Sequence, residues 1–185
     1  NSSHTFDISV WQFFVAFIRG GKTVIYKNDI VYKPEAFLNK IEQDNISIVE
    51  VVPSYLRLLL ENIEHDKKTF KELKFLLVTG ETVKPFLVND WLGMFPNIPM
   101  VNAYGPTEAS DDITHHIMTE KITTTLVPVG RNIQNTNIYI VDEDLNLKPF
   151  GEKGEIVVAG IGVGRGYLND MEKTAKSFKD KRIKH

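Results

Sequence analysis

Asn102, Tyr104, Thr107 and Glu108 set an amide, an aromatic ring, a hydroxyl and a carboxylate around two turn formers, Gly105 and Pro106. An aromatic face stacks on a purine ring. A Thr hydroxyl bonds a phosphate oxygen, and a Glu holds a hard cation such as Mg²⁺. The residues just before, Ile98 to Val101, are mostly apolar and read as a short buried strand. A polar knot at a strand's C-terminal end is where open α/β sheets place ligands. The same residues also suit an ordinary Tyr-Gly-Pro turn with Thr107 as a helix N-cap. The motif alone leaves both readings open.

Other suggestive residues carry less. His115 and His116 lie on a candidate strand, where neighbours point to opposite faces and cannot easily share a metal. The glycines from Gly160 to Gly166 fall at every second position, so the run is no dinucleotide loop but a turn-rich β segment. His4, His65 and His185 are isolated, and Lys67-Lys68 beside Glu64 and Asp66 reads as a solvated loop.

The elements that must position the motif alternate. Phe6 to Ile18 is densely apolar and reads as a mostly buried helix, opened by Asp7 or Ser9 and ended by Gly20-Gly21. Thr23 to Tyr26 is a strand candidate, and Pro34 to Gln43 an amphipathic helix with Pro at its first turn. Ser47 to Val52 is a buried strand, and Pro53 opens a helix over 54–63. Lys74 to Val78 is the next strand, Pro85 to Met94 a helix, and 98–101 the strand before the motif. Strand and helix alternating at short spacing predict α/β architecture with a parallel sheet flanked by helices. After Glu108 the texture changes. Residues 112–118, 137–141 and 155–159 read as strands with no long helix between them, and 170–178 as a short helix. The expected division is an α/β subdomain over 1–125 and a smaller β-rich segment, a partial barrel, over 126–185.

Composition bounds the reading. A chain of 185 residues holds one good core or two small ones. Net charge is −2, so no bulk attraction to nucleic acid or membrane is expected. The absence of cysteine excludes a disulfide framework, thiolate metal sites and Cys catalysis, and fits a reducing, cytoplasmic setting. No apolar run reaches spanning length. The chain begins at Asn1 without Met or a signal pattern, and so looks cut from something longer.

Several separated segments point to one family. Asn102 to Glu108 resembles the Asn-x-Tyr-Gly-Pro-Thr-Glu motif of adenylate-forming enzymes, specifically the amino-acid adenylation domains of nonribosomal peptide synthetases. Phe6-Asp7-Ile8-Ser9-Val10-Trp11 resembles that family's Phe-Asp-x-Ser-x-Trp segment. Val127-Pro128-Val129-Gly130, then Ile133 to Thr136 and Tyr139 to Asp142, are similar to its linker and first barrel strand. Gly154-Glu155-Ile156 through Gly160, Gly164, Arg165, Gly166, Tyr167 and Leu168 resembles its Gly-Glu-Leu…Gly…Ala-Arg-Gly-Tyr motif, with Gly164 in place of Ala. The order and spacing fit over roughly residues 6 to 180. The family's phosphate loop, ribose-binding Asp and catalytic Lys have no counterpart here. The resemblance therefore implies an internal piece of the large N-terminal domain, inactive by itself.

The resemblance implies roles. Tyr104 stacks on adenine, Asn102 bonds its amino group, Thr107 meets the α-phosphate and Glu108 holds Mg²⁺, these last two as the catalytic pair. Gly80, Glu81, Ala103 and Gly105 complete the nucleotide-binding set. Asp7 pairs with the substrate's α-ammonium, since a buried carboxylate needs a partner. Ile8, Trp11, Glu50, Leu77, Thr79, Ala103, Asp111 and Asp112 line the side-chain pocket. Trp11 and Leu77 fill space, and an acid inside the apolar strand 48–52 calls for a cation. The implied substrate is a short cationic amino acid of the diaminopropionate or diaminobutyrate type, with Ser the uncharged alternative.

The implied reaction is ATP-dependent formation of aminoacyl-AMP, followed by transfer to the phosphopantetheine thiol of a peptidyl carrier domain. ATP, Mg²⁺, the carrier and the rest of the adenylation domain are the implied partners, without nucleic acid or membrane. The alternatives are an acyl- or aryl-CoA ligase, against which Asp7 and Ile133-Gln134-Asn135 argue, and a non-catalytic α/β module.

Overall fold

The structure, a computed structural model, describes residues 2–66 and 68–179. Its residues group into two compact units: 1–104 with 114–131, and 105–113 with 132–185. The boundary falls inside the motif, between Tyr104 and Gly105.

In the first unit, the helix α1 (Ile8–Ile18) leads, followed by α2 (Asn28–Val31) and α3 (Pro34–Gln43). Then β1 (Ile48–Val51), α4 (Pro53–Asp66), β2 (Phe75–Val78), α5 (Pro85–Met94) and β3 (Met100–Tyr104) alternate as expected. Pro34 and Pro85 each stand in the first turn of their helix, where a missing N–H costs nothing. Strands β1, β2 and β3 pair in parallel, so their C-terminal ends lie on one side. The sheet is mixed rather than wholly parallel: β4 (Thr114–Met118) runs antiparallel to β3, and the two-residue β5 (Arg131–Asn132) follows at the edge.

Alternation along the strands separates the two faces of this sheet. Val49, Val51, Leu76, Val78, Met100 and Met118 join one buried cluster with Phe37 and Leu38 of α3, Leu56 and Leu60 of α4, and Val88 and Trp91 of α5. Glu50, Leu77, Val101 and Ala103 are equally buried but point to the opposite face.

Three expectations are corrected. Thr23 to Tyr26 is no strand: its side chains make the bonds instead, Thr23 Oγ1 donating to the Phe13 carbonyl at 3.0 Å and the Tyr26 hydroxyl to the Asp44 side chain, Oδ2, at 3.0 Å. Helix α1 is not mostly buried. Ser9 is its only buried residue, while Val10, Phe14, Phe17 and Ile18 are exposed. And β3 runs on into the motif, ending at Tyr104 rather than before it.

In the second unit, β6 (Thr136–Val141) and β7 (Glu155–Gly160) form a two-stranded antiparallel sheet, and α6 (Met171–Ser177) follows. Asp170 caps α6 through a bond from the Lys173 N–H at 2.9 Å. No helix among the described residues is long and apolar enough to cross a membrane.

Candidate functional site

The first unit places its site residues at strand ends and on one helix. Asp7 caps α1, its Oδ1 accepting from the Ile8 N–H at 3.0 Å. Its Oδ2 is buried and meets no hydrogen-bond donor among the described residues. The cap thus uses half of the carboxylate and leaves the other half to an incoming donor. Ile8 and Trp11 are half-buried on the same helix, with Trp11 one turn from Asp7.

The sheet supplies the next set. Glu50 pairs in register with Leu77, and Leu77 with Val101. One step further along, Thr79 follows β2, its N–H bonding the Val51 carbonyl at 3.3 Å, and Ala103 pairs with His115. Period-2 alternation turns Glu50, Leu77, Thr79 and Ala103 to one face, the face away from the helix-lined core. All four are buried. Glu50 Oε2 accepts a hydrogen bond from Gln12 Nε2 at 3.0 Å, which ties α1 to β1. Gln12 was not among the residues singled out by sequence. A polar residue between Trp11 and Phe13 reads there as solvent-facing, and nothing local marks it.

Asn102 takes the other face. Its Nδ2 donates to the Pro128 carbonyl at 2.8 Å, which fixes the amide with its oxygen as the acceptor. Tyr104 is 40% exposed as a residue. Gly80 sits at φ +81, the left-handed region that side chains resist, although a Cβ would meet nothing closer than Val52 Cγ1 at 3.6 Å. Both Glu81 oxygens are engaged at the start of α4: Oε2 accepts from the Ser54 N–H at 3.0 Å and Oε1 from its hydroxyl at 2.8 Å.

In the second unit, Gly105 to Ile113 is a loop closed on itself. A Cβ on Gly105 would lie 1.8 Å from the Asp111 carbonyl oxygen, so only glycine fits. Pro106, not Thr107, is the N-cap of the 3₁₀ turn over Thr107–Ala109, so Thr107 lies inside the turn and does not cap it. Ser110 and Asp111 both hold positive φ, at 62° and 80°. Such conformations cost of order 1–3 kcal/mol each and gather at functional sites. Asp112 is buried at the loop's end.

Backbone from the glycine-rich run braces this loop. The Gly164 N–H donates to the Glu108 carbonyl at 2.7 Å, and the Ser110 hydroxyl to the Gly162 carbonyl at 2.6 Å. The Tyr167 hydroxyl donates to Glu108 Oε1. That bond, with help from the Glu108 backbone and the Lys173 charge, holds the Glu108 carboxyl below its ordinary range. Lys173 Nζ stands 4.0 Å over the Tyr167 ring. Tyr167 is thus a site residue that sequence reading quoted only as part of a motif. A hard, anionic oxygen donor of this kind suits Mg²⁺. Among the described residues, no three His, Asp or Glu side chains gather into a metal cluster.

The chain resembles known proteins over nearly its whole length. The family model for AMP-binding enzymes matches residues 2–168. Gramicidin S synthase 1 of Brevibacillus brevis is 36% identical over 97% of this chain and 16% of its own length. Zwittermicin A synthase ZmaJ of Bacillus cereus is 35% identical over 95% of this chain and 34% of its own length. The crystal structure of the nonribosomal peptide synthetase FmoA3 superposes with a TM-score of 0.86 at 28% identity, over 96% of this chain and 19% of that one. A second FmoA3 structure, bound to α-methyl-L-serine-AMP, gives the same TM-score over 95% and 20%. The chain spans a minor part of each relative.

Proposed function

The chain belongs to the AMP-binding enzyme family, and from that membership we propose that it forms part of an amino-acid adenylation domain, whose parent protein joins an amino acid to AMP. The FmoA3 match, one form of which holds an aminoacyl-AMP, supports the reading. The product is then handed to the phosphopantetheine thiol of a carrier domain, in the cytoplasm where ATP and carrier meet.

The chain's own residues divide the task. Tyr104 offers its ring to adenine, and Asn102, with its N–H₂ spent on Pro128, offers its oxygen to the adenine amino group. Thr107 donates toward the α-phosphate. Glu108, kept anionic by Tyr167, holds Mg²⁺, which would offset the negative charge that builds as a carboxylate attacks phosphorus. Asp7 receives the substrate's ammonium on the oxygen that the helix cap leaves open.

The observation that carries substrate choice is the shared face of Glu50, Leu77, Thr79 and Ala103. Trp11 and Leu77 shorten the pocket, and Glu50 adds a carboxylate that accepts a hydrogen bond from Gln12. A short cationic side chain of the diaminopropionate or diaminobutyrate type fits best. The test is amino-acid-dependent exchange of pyrophosphate into ATP by the intact parent protein. Short diamino acids should run fastest. Fastest exchange with Ser or another neutral side chain would sink the cationic reading, and a CoA-dependent product from an aromatic acid would sink the adenylation-domain reading itself.

A further inference from the structure

We infer that Gln12 is a positioning residue for substrate selection: its amide sets the Glu50 carboxylate and anchors, through it, the helix that carries Asp7 and Trp11. The inference rests on the proposal that Glu50 faces the substrate's side chain.

Three polar atoms of Gln12 are hydrogen-bonded. Nε2 donates to Glu50 Oε2 at 3.0 Å, Oε1 accepts from the Ser2 N–H at 3.3 Å, and the main-chain carbonyl accepts from the Thr23 hydroxyl at 3.5 Å. The partners settle which end of the amide is which, because a carboxylate accepts from it and a backbone N–H donates to it. The amide is therefore held in one orientation with its N–H₂ toward Glu50.

Helix α1 needs such an anchor. Its apolar residues Val10, Phe14, Phe17 and Ile18 are exposed, and it packs extensively on no other element among the described residues. The Gln12–Glu50 bond links it to the sheet 38 residues on in sequence. Gln12 adjoins Trp11 on that helix, so its bond to Glu50 holds the stretch of backbone that carries Trp11. A bond to a charged group is worth about tenfold in an equilibrium.

The experiment is a double-mutant cycle in the full-length protein, read by pyrophosphate exchange with its preferred amino acid. Gln12→Leu should raise the KM for the amino acid about tenfold and leave the KM for ATP within twofold. Gln12→Glu keeps the length but cannot donate when ionised, and should raise it further. Glu50→Leu suits a position between Val49 and Val51. In that background, adding Gln12→Leu should change the amino-acid KM less than about twofold, because the partner is gone. If Gln12→Leu shifts both KM values alike, or costs as much beside Glu50→Leu as alone, its role is structural and the inference fails. If Glu50→Leu raises the amino-acid KM while both Gln12 variants leave it unchanged, only the Gln12 inference falls. If Glu50→Leu itself leaves that KM unchanged, the placement of Glu50 in the pocket falls with it. Gln12→Glu keeps the test readable should the Leu variant fold poorly.

Discussion

The two units hold their site residues by different means. In the first, Glu50, Leu77 and Ala103 stand on strands backed by a large apolar core, and their positions follow from register. In the second, Thr107, Glu108, Asp111 and Asp112 stand on a loop. There a glycine without room for a Cβ, two left-handed residues and bonds from Gly162, Gly164 and Tyr167 fix the backbone. A packed sheet fails by losing stability, whereas a closed loop fails by losing geometry. Glu50, Leu77 and Ala103, proposed to select the amino acid, are therefore set on the first kind of support, and Thr107 and Glu108, proposed to handle phosphate and cation, on the second.

Gly105→Ala breaks the comparison hardest. The new Cβ meets the Asp111 backbone, and the loop must open. A displacement of about 1 Å at reacting groups costs roughly 10²-fold in rate. The parent protein should lose about that factor in exchange activity while its first unit stays folded by circular dichroism. Activity within threefold of the unmodified protein would mean that the loop tolerates opening.

Met100→Ala probes the other support. Met100 is fully buried at the centre of the core cluster. Truncation there costs about 2–5 kcal/mol of stability. Denaturant unfolding should show that loss, with both KM values within twofold at a temperature where the variant remains folded. A large KM change without a stability loss would reverse the assignment of supports.

These two supports also differ in how far the sequence discloses them. Helices α3 and α5 were legible to the residue, because Pro34 and Pro85 mark their starts and apolar spacing marks their faces. Burial of Glu50 was legible because an acid among Ile48, Val49, Val51 and Val52 stands out. The extension of β3 to Tyr104 was not, since it follows from pairing with β4, a partner that periodicity cannot name. Apolar density in α1 promised burial, yet burial needs a covering surface, and among the described residues Phe14 and Ile18 have none. The loop's bracing was least legible: Tyr167 reaches Glu108 across 59 residues, and no local pattern announces a hydrogen bond of that span.

Tyr167→Phe tests that bracing at smaller scale. Removing the hydroxyl takes away the bond that most lowers the Glu108 pKa, so the carboxyl should rise toward its ordinary value of 4.5. A carboxyl held low in the folded state stabilises fully above its ordinary pKa and loses that contribution as pH falls through the lowered one. The unmodified protein should thus melt higher than the variant at pH 7 by the equivalent of about 1 kcal/mol or less, given the screening of a partly exposed group. The gap should shrink below pH 4.5. A gap that stays constant with pH would show that the hydroxyl acts by packing rather than through the carboxylate.

Glu81→Ala carries the smallest expected effect and draws the line between the two kinds of support most finely. Glu81 lies just past β2, at the end where the strand tips face the proposed nucleotide, so its position alone suggests a nucleotide contact. Its side chain is directed elsewhere: both oxygens bond Ser54, satisfying a backbone N–H in the first turn of α4 that has no intrahelical partner. A carboxylate there also meets the positive end of the helix dipole. An exposed cap of this kind contributes roughly 0.5–1 kcal/mol. Thermal unfolding should register that loss, and the KM for ATP should move less than twofold. A rise of tenfold in the KM for ATP, with stability intact, would instead make Glu81 a nucleotide contact and place one loop-type support inside the unit that otherwise relies on its core.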